Sequence, residues 1–164
     1  MAAVSLITTS KGLAEEVIKF LHSDIETLSR KSIISKSLEN YGNIYLTQSL
    51  ETAFDICNHI APEHLEIMLP DPFSFISKIK NAGAVFLGSY SPEPLGDYFA
   101  GPNHTLPTGG SAKFSSPLGT DDFIKKSSII YYSREELDKV NKDIQYFAEK
   151  EGLDAHANSL KVRL

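Results

Sequence analysis

The chain has 164 residues, of which 41% are hydrophobic and 23% charged, and its formal net charge is -5. This length suits one domain, or one domain with a small appendage, and the negative balance provides no basic surface for nucleic acid. A single cysteine excludes a disulfide framework within the chain and indicates a reducing compartment. No apolar run approaches the roughly eighteen residues that span a bilayer. We therefore expect a cytoplasmic protein without membrane or nucleic-acid partners.

The first sixty residues predict alternating strands and helices. The predicted elements, in order, are a strand over 4–8, a helix capped by Ser10 that runs through about residue 29, a shorter helix over about 32–40, a strand over 44–47, and a helix capped by Ser49 that runs to about Ile60. Apolar residues recur every three or four positions in the helical segments, whereas the strands are short β-branched runs. Both serines are favoured N-cap residues.

The pattern of strands and helices continues to Gly88. Pro62 favours an extended entry to a short strand over 64–68, and Asp71-Pro72 opens another helix. The run from Gly83 to Gly88 is almost entirely apolar, which is typical of a strand covered on both faces. Residues 1–122 therefore predict an α/β domain, a mostly parallel sheet with helices on both faces that corresponds to part of a Rossmann-like domain.

Residues 123–164 predict a helical C-terminal extension. The stretch over 123–132 has a mixed pattern, and Ser133 with Glu136 forms a capping-box pair for a helix to about Glu149. The tail over 154–164 suits a short helix or a strand. Because its apolar content is modest, we expect it to dock either on this subunit or on another.

The segment from Gly88 to Asp122 has no usable periodicity and is punctuated by glycine and proline. It contains aromatic residues, two carboxylates (Glu93 and Asp97) and His104, a poor composition for disorder. Long irregular segments within compact domains are usually functional, so we predict an active-site loop. Carboxylates and imidazole suit a divalent metal such as zinc, although these residues alone are too few for a site. The alternative is a polar loop capped by its own Asp and Asn side chains.

Two further Glu/His pairs are candidates for chemistry. Glu63 and His64 adjoin at a strand entry, where a histidine is a base near neutral pH and a carboxylate can orient it or activate water. The alternative is a surface glutamate beside a half-buried histidine. Glu151 and His156 flank Gly152, which we expect to break a helix and let them converge, the alternative being a solvated helix end. Packing or surface roles are predicted for Cys57, His22 and His59.

Several blocks together resemble the C-terminal part of histidinol dehydrogenase. The blocks are Ala61–Glu66, Asn81–Gly88, Gly96–Thr108, Ala112–Leu118, Asp122–Lys126 and Glu151–Leu160. They occur in order over essentially the whole chain. The resemblance implies a zinc-dependent homodimer that oxidises L-histidinol to L-histidine through an aldehyde, with two NAD, in histidine biosynthesis.

The resemblance also implies roles for individual residues. His64 would accept a proton as hydride leaves for NAD, and Glu63 would activate the water that attacks the aldehyde. Asp97 and His156 would be zinc ligands, with His156 reaching into the partner's site. The implied substrate-binding residues are His64, Glu93, Asp97, Tyr98, His104, Glu151 and His156.

The resemblance covers less than half of a family member. In the family, a Gln and a His that complete the zinc site lie just upstream of the region matched here, and the NAD-binding segments lie further upstream. No cofactor-binding residue is therefore expected in this chain, and we expect the chain alone to be inactive because an open two-ligand site binds metal weakly. The alternative is a non-catalytic fragment or module that assembles with a separate N-terminal half.

Overall fold

A computed structural model describes residues 2–163, which divide between Phe123 and Ile124 into two compact units. The first unit contains four strands and four α-helices. They are β1 (Val4–Thr8), α1 (Lys11–Asp24), α2 (Lys31–Tyr41), β2 (Gly42–Leu46), α3 (Leu50–Ile60), β3 (His64–Ile67), β4 (Ala84–Leu87) and α4 (Glu93–Tyr98).

The strands pair in parallel, as the α/β prediction requires. Strand β1 pairs with β2, and β3 pairs with β4 with His64 opposite Ala84. Helices α1 and α2 connect the first pair, and a 3₁₀-helix (Pro72–Lys78) lies between the strands of the second. The α/β class is confirmed, although the described strands form two separate two-stranded sheets.

Both predicted serine caps are confirmed. The Ser10 hydroxyl accepts a hydrogen bond from the Leu13 amide, and the Ser49 hydroxyl accepts one from the Thr52 amide, each at 3.2 Å. Each cap satisfies an amide that the helix itself leaves without a partner and contributes about 1 kcal/mol.

Two helices differ from their predictions. Helix α1 ends at Asp24 rather than near residue 29, and a 3₁₀-turn over Ile25–Thr27 follows because the Thr27 hydroxyl bonds to the Asp24 carbonyl at 2.8 Å. Such local side-chain bonds compete with the helix. The helix after Asp71 is 3₁₀ and ends at Lys78, where the Asn58 side chain donates to the Lys78 carbonyl at 2.8 Å and accepts from the Lys80 amide at 2.7 Å.

The core of the first unit lies between α3 and the second strand pair. Phe54, Leu65 and Ile67 are buried together, and Phe54 stacks on Phe75 with ring centroids 5.5 Å apart. Other parts of the first unit are less buried. In α1 only Ala14 is buried among the described residues, and Val85 of β4 is 40% exposed. The apolar run of β4 is therefore not covered on both faces among the described residues.

The second unit contains α5 (Arg134–Lys150) and α6 (Asp154–Lys161). The Ser133 hydroxyl accepts from the Glu136 amide at 3.2 Å, as predicted for the cap of α5. Gly152 has a φ of 74°, the Leu153 amide donates to Ala148 at 2.8 Å and the Gly152 amide to Glu149 at 3.1 Å. These two bonds form a Schellman motif, which confirms that Gly152 ends the helix. In the described part of the tail, the chain is helical rather than extended.

Across residues 2–163, none of the helices combines the length and the apolar character needed to cross a bilayer.

Candidate active site

The first unit brings one histidine and two carboxylates together. Nε2 of His64, at the start of β3, lies 3.8 Å from Oε1 of Glu93 and 3.7 Å from Oδ1 of Asp97. One ligand atom from each of the three residues lies within 4.8 Å of the others, which is close enough for a shared metal ion. The imidazole after Pro62 and the carboxylate after Gly96 thus converge on one place.

The two carboxylates converge because they lie on a helix. The segment predicted as irregular contains α4, a six-residue helix with Glu93 in its first turn and Pro94 at a position where proline is tolerated. Glu93 and Asp97 are four residues apart, so they share one face of the helix. That face meets His64.

A close approach between α4 and β4 supports this arrangement. A Cβ atom on Gly96 would lie 2.6 Å from Cε1 and 2.8 Å from Cζ of Phe86. Phe86 is 9% exposed, and its ring centroid lies 5.9 Å from that of His64. The Phe86 ring therefore contacts both the helix that carries the carboxylates and the histidine that they face.

The backbone before His64 is held equally tightly. Ala61 ends α3 with a φ of 51°, a left-handed conformation that costs a residue with a Cβ about 1 kcal/mol. The Ala84 amide then donates to the Glu63 carbonyl at 2.8 Å, and a Cβ on Gly83 would lie 2.6 Å from that carbonyl oxygen. The sharp exit from α3 and the glycine opposite Glu63 together fix where β3, and with it His64, begins.

The site is short of positive charge. Nε2 of His64 is buried and has no hydrogen-bond partner among the residues that the structure describes. The pKa of Glu93 is raised above its ordinary value, first by desolvation, then by a hydrogen bond with Asp97 and the negative charge of Asp97, with the charge of His64 acting in the opposite direction. A cation or a proton placed among these groups would give Nε2 of His64 a partner and would offset the negative charge that raises the pKa of Glu93.

The donor set fits a zinc ion. Zinc accepts imidazole nitrogen and carboxylate oxygen at about 2.1 Å, which puts neighbouring ligand atoms of a tetrahedral site about 3.4 Å apart. The separations of 3.7 and 3.8 Å from Nε2 to the two carboxylates are close to that value. The ligand atoms of the three side chains lie within 4.8 Å of one another, so the group can supply metal ligands or share a proton.

A cavity of about 420 Å³ adjoins Asp97. Its walls include the apolar side chains of Phe86 and Leu106, and its polar side chains are Ser91, Asp97 and Asn103. An apolar cleft with a few polar groups is the usual form of a small-molecule site.

Comparison with known proteins decides the family. The family model described as histidinol dehydrogenase matches residues 1–164. The chain belongs to the histidinol dehydrogenase family. It is 58% identical to the histidinol dehydrogenase of Clostridium acetobutylicum and 56% identical to that of Caldanaerobacter subterraneus subsp. tengcongensis, over 99% of this chain and 38% of each relative. The crystal structure of histidinol dehydrogenase from Elizabethkingia anophelis is similar, with a TM-score of 0.85 and 35% identity over 98% of this chain and 37% of that chain.

The resemblance to histidinol dehydrogenase predicted from the sequence is therefore confirmed. The chain spans about 38% of the length of the curated relatives that it matches. The family is one of oxidoreductases, and the roles of individual side chains in this chain stay predictions.

The other predicted site residues lie at different places. Glu63 is half-buried directly before β3 and lies outside the group of three. Tyr98 ends α4 and is 84% exposed, and His104 is exposed in the following loop. Glu151 and His156 belong to the second unit, one after the end of α5 and the other in α6, and both are exposed.

Residues expected to have packing or surface roles behave accordingly. Cys57 lies half-buried on α3 against the core, and burial raises the pKa of its thiol, which disfavours the reactive thiolate. His22 and His59 are exposed on α1 and α3.

Two features that position α4 at the site were not predicted from the sequence. They are the side chain of Glu66 and the contact between Gly96 and Phe86. Glu66 lies two residues after His64 and therefore on the same face of β3. This spacing in the sequence could have identified Glu66 as a neighbour of His64. The Gly96–Phe86 contact joins two elements through tertiary packing and has no local signal.

The raised pKa of Glu93 predicts a pH-dependent effect of Glu93→Gln. The folded protein holds the Glu93 proton more tightly than the unfolded chain does, so this group lowers the free energy of unfolding as pH rises from its ordinary pKa of 4.5 through the raised value. Relative to the parent, Glu93→Gln should therefore gain stability across that window and keep the gain at neutrality.

Denaturant unfolding at a series of pH values from below 4.5 to neutrality measures the effect. Glu39→Gln, at an exposed position of α2, corrects for the general loss of a carboxylate. A stability difference between Glu93→Gln and the parent that is the same at every pH contradicts the prediction.

Proposed function

We propose that this chain supplies the proton-transfer and metal-binding side chains of a zinc-dependent histidinol dehydrogenase. The enzyme oxidises L-histidinol to L-histidine through the aldehyde with two NAD. The observation that carries the proposal is the convergence of His64, Glu93 and Asp97 in a chain that matches this family along its whole length.

Asp97 and His156 would hold the zinc, with His156 contributed across a homodimer. When bound, zinc supplies a fixed positive charge that positions the amino and imidazole nitrogens of histidinol. A histidine nitrogen that coordinates a metal cannot also accept a proton. We therefore assign Asp97 to the metal and keep Nε2 of His64 for proton transfer.

In the first oxidation, Nε2 of His64 takes the proton of the substrate hydroxyl while the carbon-bound hydrogen leaves as hydride to NAD. The carboxylates of Glu93 and Asp97, 3.8 and 3.7 Å away, stabilise the imidazolium that results. In the second oxidation, Glu63 would take a proton from the water that attacks the aldehyde, and the carbon-bound hydrogen of the resulting hydrate would leave as hydride to a second NAD. Glu93, Tyr98, His104 and Glu151 complete the substrate-binding set.

The remaining zinc ligands and the NAD site would come from an N-terminal portion. The exposed apolar surface of the first unit supports a covering polypeptide, since a two-stranded parallel sheet is normally buried on both faces. Exposed apolar side chains of the first unit include Val4, Phe20, Leu46, Phe73 and Phe114. We propose a cytoplasmic location, in keeping with the free thiol of Cys57.

Reconstitution tests the proposed function. The chain is co-expressed with the part of the Clostridium acetobutylicum relative that precedes the matched region, and NADH formation from L-histidinol is measured. We expect no activity from the chain alone and zinc-dependent activity from the two-part enzyme, lost on chelation and restored by zinc. A stable two-part complex that binds zinc but forms no NADH would instead support a non-catalytic module.

A further inference from the structure

We propose that Glu66 is a positioning residue, which anchors the start of α4 to β3 so that Glu93 and Asp97 face His64. The inference deepens the proposed function and rests on it for its consequence in catalysis, although the anchor itself is a structural contact.

The contact is a hydrogen bond between two elements. Oε1 of Glu66, on β3, accepts from the backbone amide of Glu93 at 2.8 Å. The first amides of a helix have no partner within it, and Pro92 at the N-cap makes no side-chain bond to α4. Glu66 thus caps α4 from a neighbouring strand.

Glu66 lies on the same strand face as His64, so this cap positions α4 relative to His64. Residues two apart on a strand lie on the same face, about 7 Å apart, so Glu66 and His64 project together. One strand face therefore carries both the histidine and the anchor of the helix whose carboxylates meet that histidine.

Helix α4 needs such an anchor because it is short. A helix of six residues is not stable by propensity alone and depends on its tertiary contacts. Gly96 contacts Phe86 in the middle of the helix, and that single contact would still allow α4 to rotate about Gly96. The hydrogen bond from the Glu93 amide to Glu66 prevents this rotation at the first residue of α4.

The substitutions Glu66→Leu and Glu66→Gln separate anchoring from charge. Leucine removes the acceptor, whereas glutamine keeps a carbonyl oxygen at the same position and loses the charge. Glu16→Leu, at an exposed position of α1, is the matched control. Since Glu66 is exposed, none of the three substitutions removes a core residue.

Two NMR readouts in the 164-residue chain test the anchor. In Glu66→Leu we expect hydrogen exchange of the Glu93 amide to be about 10-fold faster and the His64 ring signals to shift and broaden, because the hydrogen bond is lost and the carboxylates are released. Glu66→Gln should retain most of the protection and the parent ring signals, and Glu16→Leu should change neither. Unchanged exchange and ring signals in Glu66→Leu overturn the proposal, as does equal loss in Glu66→Gln.

Activity supplies a separate readout. In the two-part enzyme, Glu66→Leu should lower kcat/KM about 10-fold, the low end of the loss seen when a residue that orients a metal site is removed. Glu66→Gln should recover most of that loss. An enzyme without activity would overturn the proposed function but leave the NMR result valid, whereas full activity with parent NMR signals in Glu66→Leu overturns the anchor alone.

Discussion

Replacing His64 by glutamine is expected to lower kcat of the two-part enzyme by about 100- to 10,000-fold, the range that a positioned base contributes. Glutamine is similar in size and can still donate or accept a hydrogen bond, but it cannot take up the proton of the substrate hydroxyl. The effect should fall on kcat more than on KM, because Asp97 and the other substrate-binding groups are unchanged.

The same substitution should leave the fold intact. Nε2 of His64 is buried without a hydrogen-bond partner among the described residues, so its removal breaks no hydrogen bond at that atom. The thermal midpoint of the His64→Gln variant should therefore equal or exceed that of the parent. Steady-state NADH kinetics and thermal unfolding together separate lost chemistry from lost structure.

His59→Gln provides the matched control. His59 is exposed in the last turn of α3, five residues before His64 in the sequence, and has no role in the proposed site. Its replacement should leave kcat within about 2-fold of the parent, as expected for an exposed substitution worth less than 0.5 kcal/mol. If His64→Gln kept a tenth or more of the parental kcat, the assignment of His64 as the proton acceptor would be wrong.

The parts of the fold that the sequence predicts well are those with local causes. Ser10 and Ser49 cap their helices because a serine hydroxyl reaches an amide three residues ahead. Gly152 ends α5 because its φ of 74° is accessible to glycine without strain. Each of these residues acts within its own turn of chain, so its neighbours in the sequence are sufficient to interpret it.

The site was less predictable because its geometry depends on contacts between elements. Pro92, Pro94 and Gly96 make the α4 segment look irregular, and the helix forms where Glu66 caps it and Gly96 meets Phe86. Once α4 is known, the spacing of Glu93 and Asp97 explains their convergence. For His156 and Glu151, the resemblance gives a role that periodicity alone does not.

Gly96→Ala is expected to destabilise the first unit and to disturb the site. The added Cβ would lie 2.6 and 2.8 Å from two ring atoms of Phe86, and Phe86 is 9% exposed and cannot swing into solvent without leaving the core. Overpacking of this kind costs about 1–3 kcal/mol, which exceeds the roughly 1 kcal/mol that alanine gains over glycine in a helix. We expect a net loss of about 1 kcal/mol of stability.

The effect of Gly96→Ala on activity should be larger than its effect on stability. Either α4 moves away from β4, carrying Asp97 with it, or the Phe86 ring is pushed towards His64, whose ring centroid is 5.9 Å away. A displacement of about 1 Å at a reacting group can cost 100-fold in rate. We therefore expect kcat/KM of the two-part enzyme to fall about 10- to 100-fold.

Two companion variants test whether the Phe86 contact is the cause. Gly12→Ala makes the same change in α1, where the nearest atom to the new Cβ is 4.0 Å away, and should raise stability by about 0.5 kcal/mol without loss of activity. Phe86→Leu removes both ring atoms that the new Cβ would meet. In the double variant Gly96→Ala/Phe86→Leu, stability should therefore exceed the sum of the single effects by more than about 0.5 kcal/mol. Strict additivity in this cycle would show that the helix tolerates the methyl group and that the close packing of α4 on Phe86 does not set the site geometry.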